Sequence, residues 1–430
     1  MRLAYLCSRY PWVSHTFVLR EVQALRRRGV EIETYTMVAA DPPQLLAQAD
    51  RDEFVTTEAV RPASRRAVAG ALWRLASSGA GRRTAAFALS RGRGRPRDTL
   101  WQGFYLVQAE MLRARLAAGD LHHVHVHFAN PAADVALLAA RLSAARGDAR
   151  PLRFSFTMHG PTEFQDPAGN RLAEKARAAT FVVCISEYAR AELERLAGPE
   201  ARDRLEVVHC GVDPVGFAPV DRPARAEPVI LCVGRLVAVK GQHVLLEAFA
   251  ALRRAGSSAR LVLVGDGETR AALEGRSRAL GVDGAVTFTG AVGQDDIAAW
   301  YAAADIFCLP SHAEGVPVVL MEAMATELPV VTTPVAGIPE LVADGESGLL
   351  VAPGDAAALG TALQTLLADP ARRAAMGAAG RARVLDAFTA DGCAAALHDV
   401  YARRLHHADR TVPAAPGIDA AEPATVAARV

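Results

Sequence analysis

The stretch Glu314-Gly315-Val316-Pro317-Val318-Val319-Leu320-Met321-Glu322 sets two carboxylates around a glycine and a proline, just after the apolar run Ile306–Leu309. Gly315 permits close backbone approach, and Pro317 suits a first helical turn. A helix starting there, through Val316, Pro317 and Val318, aims free N–H groups and a positive dipole end at the space above the strand. That is an anion site, suited to a phosphate. Glu322 then falls one to two turns inside an otherwise apolar helix, where a carboxylate needs partners. The hydroxyls of a diol such as a ribose would satisfy it.

A second loop, Gly234-Arg235-Leu236-Val237-Ala238-Val239-Lys240-Gly241, follows the apolar run Val229–Val233 and carries two cations. The chain has 46 arginines and only two lysines, Lys175 and Lys240. In so lysine-poor a chain, Lys240 reads as a compact, strongly hydrated charge placed for a phosphate. A third segment, Thr157-Met158-His159-Gly160-Pro161-Thr162-Glu163, ends a strand with His159, which is either a structural hydrogen-bonder or a group facing a cleft. His122, His123, His125 and His127 are dense enough to suggest a metal, but carboxylate or cysteine partners at ligand spacing are missing. His125 and His127 are read as strand residues, with His127 at a cleft rim and no metal expected.

Two weaker signals are set aside. Gly265-Asp266-Gly267 follows a strand, but Arg270 stands where a dinucleotide fingerprint needs its third glycine. Asp50-Arg51-Asp52 imitates a metal-binding acidic pair, yet its neighbours Gln48, Ala49 and Glu53 are those of a polar loop or helix end.

These groups need a scaffold. The 430 residues are 51% hydrophobic and 22% charged, enough for a sizeable core in two domains, or three small ones. The net charge of +1 argues against a dedicated nucleic-acid binder. No apolar run reaches the roughly 18 residues of a membrane span. Met1–Cys7 reads as a first strand, too short for a signal-peptide core and without a small-residue cleavage site. The six cysteines stand singly and read as buried strand thiols of a reducing cytoplasm.

Apolar runs alternate with helical periodicity along the chain. Strands are expected at Leu3–Leu6, Val30–Val38, Val124–Phe128, Phe154–Met158, Phe181–Ile185 and Leu205–Val208, then at Val229–Val233, Leu261–Val264, Val286–Thr289, Ile306–Leu309 and Pro329–Thr332. Helices fill the intervals. Such alternation implies parallel sheets covered on both faces. The division is an N-terminal domain 1–213, a proline-bearing linker 214–228, a second domain 229–387, a helix at 388–406 and a disordered Ala/Pro-rich tail from 407. Two α/β domains imply a cleft between their strand carboxyl ends, where open sheets bind ligands.

Charge is uneven. Residues 1–213 hold 30 Lys and Arg against 23 Asp and Glu, whereas the remainder holds 18 against 24. Ten arginines and no acid occupy Arg61–Arg97, with Trp73, Leu72, Leu75, Phe87 and Leu89 interleaved. Two readings stand: a basic amphipathic surface on anionic lipid, or a solvated helical pair. No nucleic-acid motif accompanies the segment.

Gly-Arg-Leu…Lys-Gly followed by Glu-x7-Glu resembles the retaining glycosyltransferases of family 4, which have the GT-B fold of two Rossmann-like domains. The likeness spans about residues 1–405. Further phrases carry it: Ser8-Arg9-Tyr10-Pro11…Ser14-His15-Thr16-Phe17, His159-Gly160, Cys184-Ile185-Ser186-Glu187, His209-Cys210-Gly211-Val212-Asp213, Gly337-Ile338-Pro339-Glu340 and Gly345-Glu346-Ser347-Gly348-Leu349-Leu350. The opening phrase and Phe154-Ser155-Phe156-Thr157-Met158-His159 are similar to the colanic-acid and exopolysaccharide branch. Many relatives carry paired glycines after the first strand; here the loop is Tyr10-Pro11-Trp12-Val13-Ser14-His15.

The resemblance implies a nucleotide diphosphate-sugar donor, a glycan or lipid-linked acceptor, no metal or other cofactor, and work at the cytoplasmic face of the membrane. Arg235 and Lys240, with Gly234, would neutralise the diphosphate, helped by amides at Gly315–Val318. Glu322 would hold the ribose, Glu314 would sit at the donor sugar, and His159 would contact its hydroxyls. Backbone at Gly290–Val292 would meet the base. Ser14, His15 and His127 would line the acceptor side. No protein nucleophile is implied. Two other functions fit such a cleft: a nucleotide-sugar epimerase, recognised by turnover without acceptor, and a non-catalytic nucleotide-binding protein, recognised by binding without turnover.

Overall fold

In the computed structural model, which describes residues 1–61, 64–92, 94–222 and 225–410, two parallel sheets face one another. The first comprises β1 (Arg2–Arg9), β2 (Glu31–Val38), β3 (Glu58–Arg61), β4 (His123–His127), β5 (Arg153–Met158), β6 (Val182–Cys184) and β7 (Leu205–Val207). The second comprises β8 (Val229–Val233), β9 (Arg260–Val264), β10 (Val286–Gly290), β11 (Ile306–Leu309), β12 (Val330–Thr332) and β13 (Gly348–Leu350). Their orders are β3-β2-β1-β4-β5-β6-β7 and β10-β9-β8-β11-β12-β13. The chain reverses its direction of travel between β1 and β4, and again between β8 and β11. Crevices open at these switch points. The expected α/β class and two Rossmann-like domains are therefore present.

The strands form because they are buried from both sides. Leu3, Tyr5 and Cys7 of β1 face one core, whereas Ala4 and Leu6 face the other. The first core is closed by the helix Thr16–Arg27 through Val18, Leu19, Val22 and Leu25. The last helix, Ala390–Arg410, joins it through Ala394, Leu397, Val400 and Tyr401. The chain thus ends on the domain in which it began. That helix continues to Arg410, past the expected start of a tail at 407, and 411–430 lie outside the described residues.

Several short elements carry too little periodicity to read in advance: β3, β13 and the helices Gln48–Thr56, Pro161–Gln165 and Leu172–Ala178. Asp50-Arg51-Asp52 lies at the N-terminal end of the helix Gln48–Thr56, the second of the two expected settings, and Asp50 is buried. Of the cysteines, Cys210 lies outside the strands and Cys393 on the final helix.

The arginine-rich segment forms the helices Arg65–Ser77 and Gly79–Ser90, capped by Ser64 and Ser78 and packed on Pro96–Ala118 and Pro131–Arg146. It is not uniformly a basic surface. Arg91 is 6% exposed and pairs with Asp134 at 2.6 Å and Glu174 at 2.9 Å, and Arg74 reaches the buried Glu110 at 2.7 Å. Lys175 is wholly buried and bonds Asp134 at 2.9 Å. Burial of a charge is tolerable because each is paired. Outside, Leu72, Trp73, Leu89, Leu100, Trp101 and Phe104 are exposed among the remaining arginines. Residues 62, 63 and 93 of this segment, and 223 and 224 of the expected linker, lie outside the described residues. Among the described residues no helix is long and apolar enough to cross a membrane.

Candidate active site

The second sheet sets out one half of the site along its carboxyl edge. Reading across the strands, Gly290 ends β10, Gly265 follows β9, Gly234–Lys240 follows β8 and Ser311–Glu314 follows β11. The switch point thus lies between the cation loop and Glu314. Lys240 Nζ donates to Glu314 Oε1 at 2.5 Å, and Ser311 Oγ donates to the same oxygen at 2.6 Å. Glu314 is 6% exposed and anchored by a hydroxyl and an ammonium group. Arg235, in contrast, is exposed and has no ion-pair partner among the described residues.

The loops there are pressed together, which accounts for the glycines. A Cβ on Gly265 would lie 2.0 Å from the carbonyl oxygen of Gly234, and one on Gly267 would lie 2.3 Å from that of Leu236. Gly265-Asp266-Gly267 is therefore the floor beneath the Arg235 loop, which also bonds Leu236 N–H to the Asp266 carbonyl at 2.9 Å. The Gly290 carbonyl accepts from Gly265 N–H at 2.9 Å, and Val292 just beyond packs, half-buried, against the core of the second domain.

The helix after Glu314 runs Val318–Ala325, one residue later than a Pro317 start. Pro317 is the N-cap: its backbone is extended (φ −73°, ψ 122°) while its carbonyl accepts from Leu320 N–H at 3.0 Å. Glu322 is 2% exposed on this helix. Its Oε2 accepts from Tyr301 OH at 2.8 Å, and its Oε1 accepts from Arg20 Nη2 at 2.7 Å. Burial and the carboxylate together push the Tyr301 phenol up, so it stays a donor. Arg20 belongs to the helix Thr16–Arg27 of the first domain and also bonds Gln294.

The two domains therefore touch at the site. A Cβ on Gly315 would lie 2.1 Å from the His159 carbonyl oxygen, and one on Gly160 would lie 2.9 Å from the Gly315 Cα. Gly160 has φ +144°, a conformation open to glycine at little cost. Beside this contact, Glu340 accepts from the backbone N–H of Glu187 and of Tyr188, each at 2.9 Å, adding a cap from the second domain to a helix of the first. Val316 is buried under Gly337.

The first domain contributes a different kind of surface. His15, His127 and His159 gather with Phe17 and Phe128, at ring-centroid distances of 4.6–6.2 Å. Burial holds the His159 imidazole well below its usual range, with His127 and His15 as further causes. The same burial pushes His15 down to about 4, with the charge of Arg235 as a lesser cause. Both rings are therefore neutral at pH 7. The ring nitrogens of His159 turn inward: Nε2 lies 2.8 Å from His127 Nδ1, and Nδ1 lies 3.8 Å from Cys210 Sγ. Its backbone carbonyl meets the second domain. Ser14 lies in the short turn Val13–His15, and its side chain lies outside the described residues.

Glu21, His125 and His127 each offer a ligand atom within 4.8 Å of the others. The carboxylate that is missing at sequence spacing thus arrives from the helix Thr16–Arg27. However, His125 Nδ1 lies 2.8 Å from Ser155 Oγ and Nε2 lies 2.8 Å from Thr157 Oγ1. Both nitrogens are engaged by hydroxyls, which suits a hydrogen-bonded core better than a metal. Sequence reasoning also passes over Arg20, Glu21, Tyr301 and Ser311. The first two stand three and four residues after the Ser14–Phe17 phrase, a signal that marks their segment. Tyr301 and Ser311 carry no pattern of their own.

The family model for glycosyl transferases group 1 matches residues 220–383, and that for glycosyltransferase family 4 matches residues 14–215. A GDP-mannose-dependent alpha-(1-6)-phosphatidylinositol monomannoside mannosyltransferase of Mycolicibacterium smegmatis is 39% identical over half of this chain and 59% of its own length. The protein of the same name from Mycobacterium tuberculosis is 34% identical over 65% of this chain and 76% of its own. WcaL, assigned to colanic acid biosynthesis in Escherichia coli, is 36% identical over 43% of this chain and 46% of its own. Among solved structures, Anabaena HepE with UDP and glucose overlays with a TM-score of 0.71 at 18% identity, covering 94% of this chain and all of that one. Sucrose-phosphate synthase from Thermosynechococcus elongatus gives 0.71 at 23%, covering 95% and 100%. These overlays establish the GT-B fold. With the sheet orders, the paired carboxylates and the family matches in agreement, the chain belongs to glycosyltransferase family 4 and is a glycosyltransferase.

Proposed function

We propose that this glycosyltransferase moves a sugar, with retention and without a metal, from a nucleotide diphosphate-sugar to a lipid-linked or growing glycan in cell-surface polysaccharide assembly. The observation that carries the reading is the placing of Arg235, exposed and without an ion-pair partner among the described residues, with Lys240 at the switch point, beside the start of the helix Val318–Ala325. Two cations and a helix N-terminus stabilise negative charge that grows on a diphosphate as it leaves. Glu322, kept by Tyr301 and released from Arg20 across the cleft, takes the ribose hydroxyls, and Glu314, held by Lys240 and Ser311, faces the sugar. A donor specified by its diphosphate and sugar fits the two related mannosyltransferases, which use GDP-mannose, and the UDP found with HepE.

Thermal stabilisation by GDP, UDP and ADP, each with and without EDTA, tests this reading. A ligand that binds only the folded state raises the melting temperature by mass action. One nucleotide stabilising the protein, with EDTA making no difference, is the expected result. Stabilisation by none of the three overturns the donor site. The exposed Leu72, Trp73, Leu100, Trp101 and Phe104, set among arginines, support a second part of the reading: a peripheral site on the inner membrane face, where a lipid-linked acceptor would be met. Failure to sediment with anionic vesicles at low salt removes that part and leaves the transfer reading intact.

A further inference from the structure

One buried carboxylate gathers the loops at the carboxyl ends of β4 and β5. Glu163 is 5% exposed. Its Oε1 accepts from Ala129 N–H at 2.5 Å, and its Oε2 accepts from His159 N–H at 2.8 Å and from Gly160 N–H at 3.1 Å. All three partners are donors, which suits a carboxylate, a group that only accepts. Burial raises this carboxyl, and the three amides together with Lys175 act against the rise. Lys175, the chain's other lysine, holds the first loop from below: its Nζ donates to the Ala129 carbonyl at 2.7 Å and to the Asn130 carbonyl at 3.3 Å. Phe128 N–H donates to the Thr157 carbonyl at 3.0 Å. The backbone of residues 128–130 is thus tied peptide by peptide.

The tied turn holds an unfavourable conformation. Phe128 has φ +72°, in the left-handed region where a bulky residue is an outlier. Strain of this kind persists only where the surroundings over-determine it, and it gathers at functional sites. Here it delivers the Phe128 ring to 4.6 Å from the His159 ring and 5.1 Å from that of His15. The other loop sets the His159 carbonyl against Gly315 and gives Gly160 its φ of +144°. Both parts of the first domain's wall therefore hang on the same side chain. Glu163 also caps its own short helix, Pro161–Gln165, through the Gly160 N–H. The bond to Ala129 adds nothing to that cap, because Ala129 belongs to the neighbouring loop.

We propose that Glu163 is a positioning residue for the transfer reaction: one carboxylate sets both loops, and with them where Phe128 and His159 stand against the second domain. It acts through the backbone of these loops and touches no reacting atom. Lys175 shares the task from the core side. The inference rests on the transfer reading for its consequence in turnover, whereas the clamp itself is independent of it.

The test uses the full chain. Native-state amide hydrogen exchange is expected to place Ala129, His159 and Gly160 among the slow amides of β4 and β5, although all three lie beyond the strands. Glu163→Gln leaves one oxygen and turns an NH2 group toward one loop. The oxygen goes where it takes two N–H groups, at His159 and Gly160, so Ala129 is the amide left opposed. Exchange at Ala129 is expected to quicken about tenfold or more, the scale of one lost hydrogen bond, with His159 and Gly160 within about threefold of wild type. Turnover of GDP-mannose or UDP-glucose, whichever the wild type uses, is expected to fall in kcat by up to about 100-fold, the effect of a displacement near 1 Å. Donor KM and the thermal shift given by the matching nucleotide are expected to stay within about threefold and unchanged, since the second domain holds the nucleotide. Fast exchange at the three wild-type amides overturns the proposal, as does an unchanged kcat in folded Glu163→Gln. A nucleotide shift lost in step with kcat also overturns it, because the side chain would then support the fold at large. The wild-type exchange decides even if Glu163→Gln fails to fold. Absence of turnover with either donor in a wild type whose three amides are protected counts against the transfer reading and leaves the clamp standing.

Discussion

The two walls of the cleft solve their tasks by opposite means. The second domain works with charge that solvent can reach: Arg235 is exposed, and Lys240, with its side chain 16% exposed, holds Glu314. The first domain works with imidazole rings packed in the core: His125 and His127 are wholly buried, and burial lowers His123, His125 and His159. A charge near water costs the fold little, so the donor side can keep the exposed Arg235 bare for an anionic ligand, while the less exposed Lys240 is paired with Glu314. A buried ring network costs desolvation, so it defines shape more than it supplies charge. Substitutions on the two walls should therefore fail differently.

The largest effect is expected on the charged wall. Lys240→Ala removes one of two cations and frees Glu314 from its 2.5 Å partner. Loss of a fixed charge aimed at the leaving group costs about 10²- to 10³-fold in kcat. Glu314 is buried and keeps only the Ser311 hydroxyl once Lys240 is gone, so the melting temperature is expected to fall as well. Steady-state turnover beside a thermal melt checks both halves of the statement. Wild-type turnover in the variant would remove Lys240 from the reaction.

The seam between the walls comes next. Gly315→Ala would place a methyl 2.1 Å from the His159 carbonyl oxygen and 3.0 Å from Ile185 Cδ1. Backbone cannot yield as a flexible side chain does, so the domains must part by about an ångström. Misplacement of that size costs on the order of 10²-fold in rate. Each sheet keeps its own core, so circular dichroism should be unchanged while small-angle scattering shows a wider particle. Normal turnover in the variant would mean that the closed contact is not the reactive one.

The contrast also explains what could be read from the chain in advance. The charged wall lies in two short contiguous stretches, 234–241 and 314–322, where spacing alone carries the chemistry. The imidazole wall joins Tyr5, Glu21, His127, His159, Cys210 and Tyr401, each from a different segment, and only the parallel order β1-β4-β5 brings most of them side by side. Strand alternation revealed the sheets because burial on both faces leaves long apolar runs. It did not reveal β3 or β13, of four and three residues, which are too short to show a period. Arg20 illustrates the limit. Its pairing with Glu322 spans the cleft, and no local pattern announces a partner 302 residues away.

The smallest effect, and the one that separates the walls by condition instead of mutation, is acid sensitivity. His15, pushed to about 4, and His123, pushed to about 3, lie below the usual imidazole range near 6.5, as do His125 and His159. In each case burial is the first cause. The unfolded chain therefore binds protons that the fold refuses between pH 6.5 and about 3, and stability falls as pH falls through that window. The stabilisation is complete above pH 6.5. Each such group contributes about 1.4 kcal/mol per pH unit within the window. Buried Glu163 and Asp50 act in the opposite sense, because burial raises their carboxyls and the fold takes up protons there more readily than the open chain. Four imidazoles outweigh two carboxyls, and all six lie in the first domain. Three of the four tryptophans, Trp12, Trp73 and Trp101, lie there as well, with Trp300 in the second. Intrinsic fluorescence melts between pH 7.5 and 4.5 should therefore show an early transition that moves down with acid, ahead of a later, flatter one. A single transition that stays level across this range would mean that the histidine wall is not the acid-labile part of the molecule.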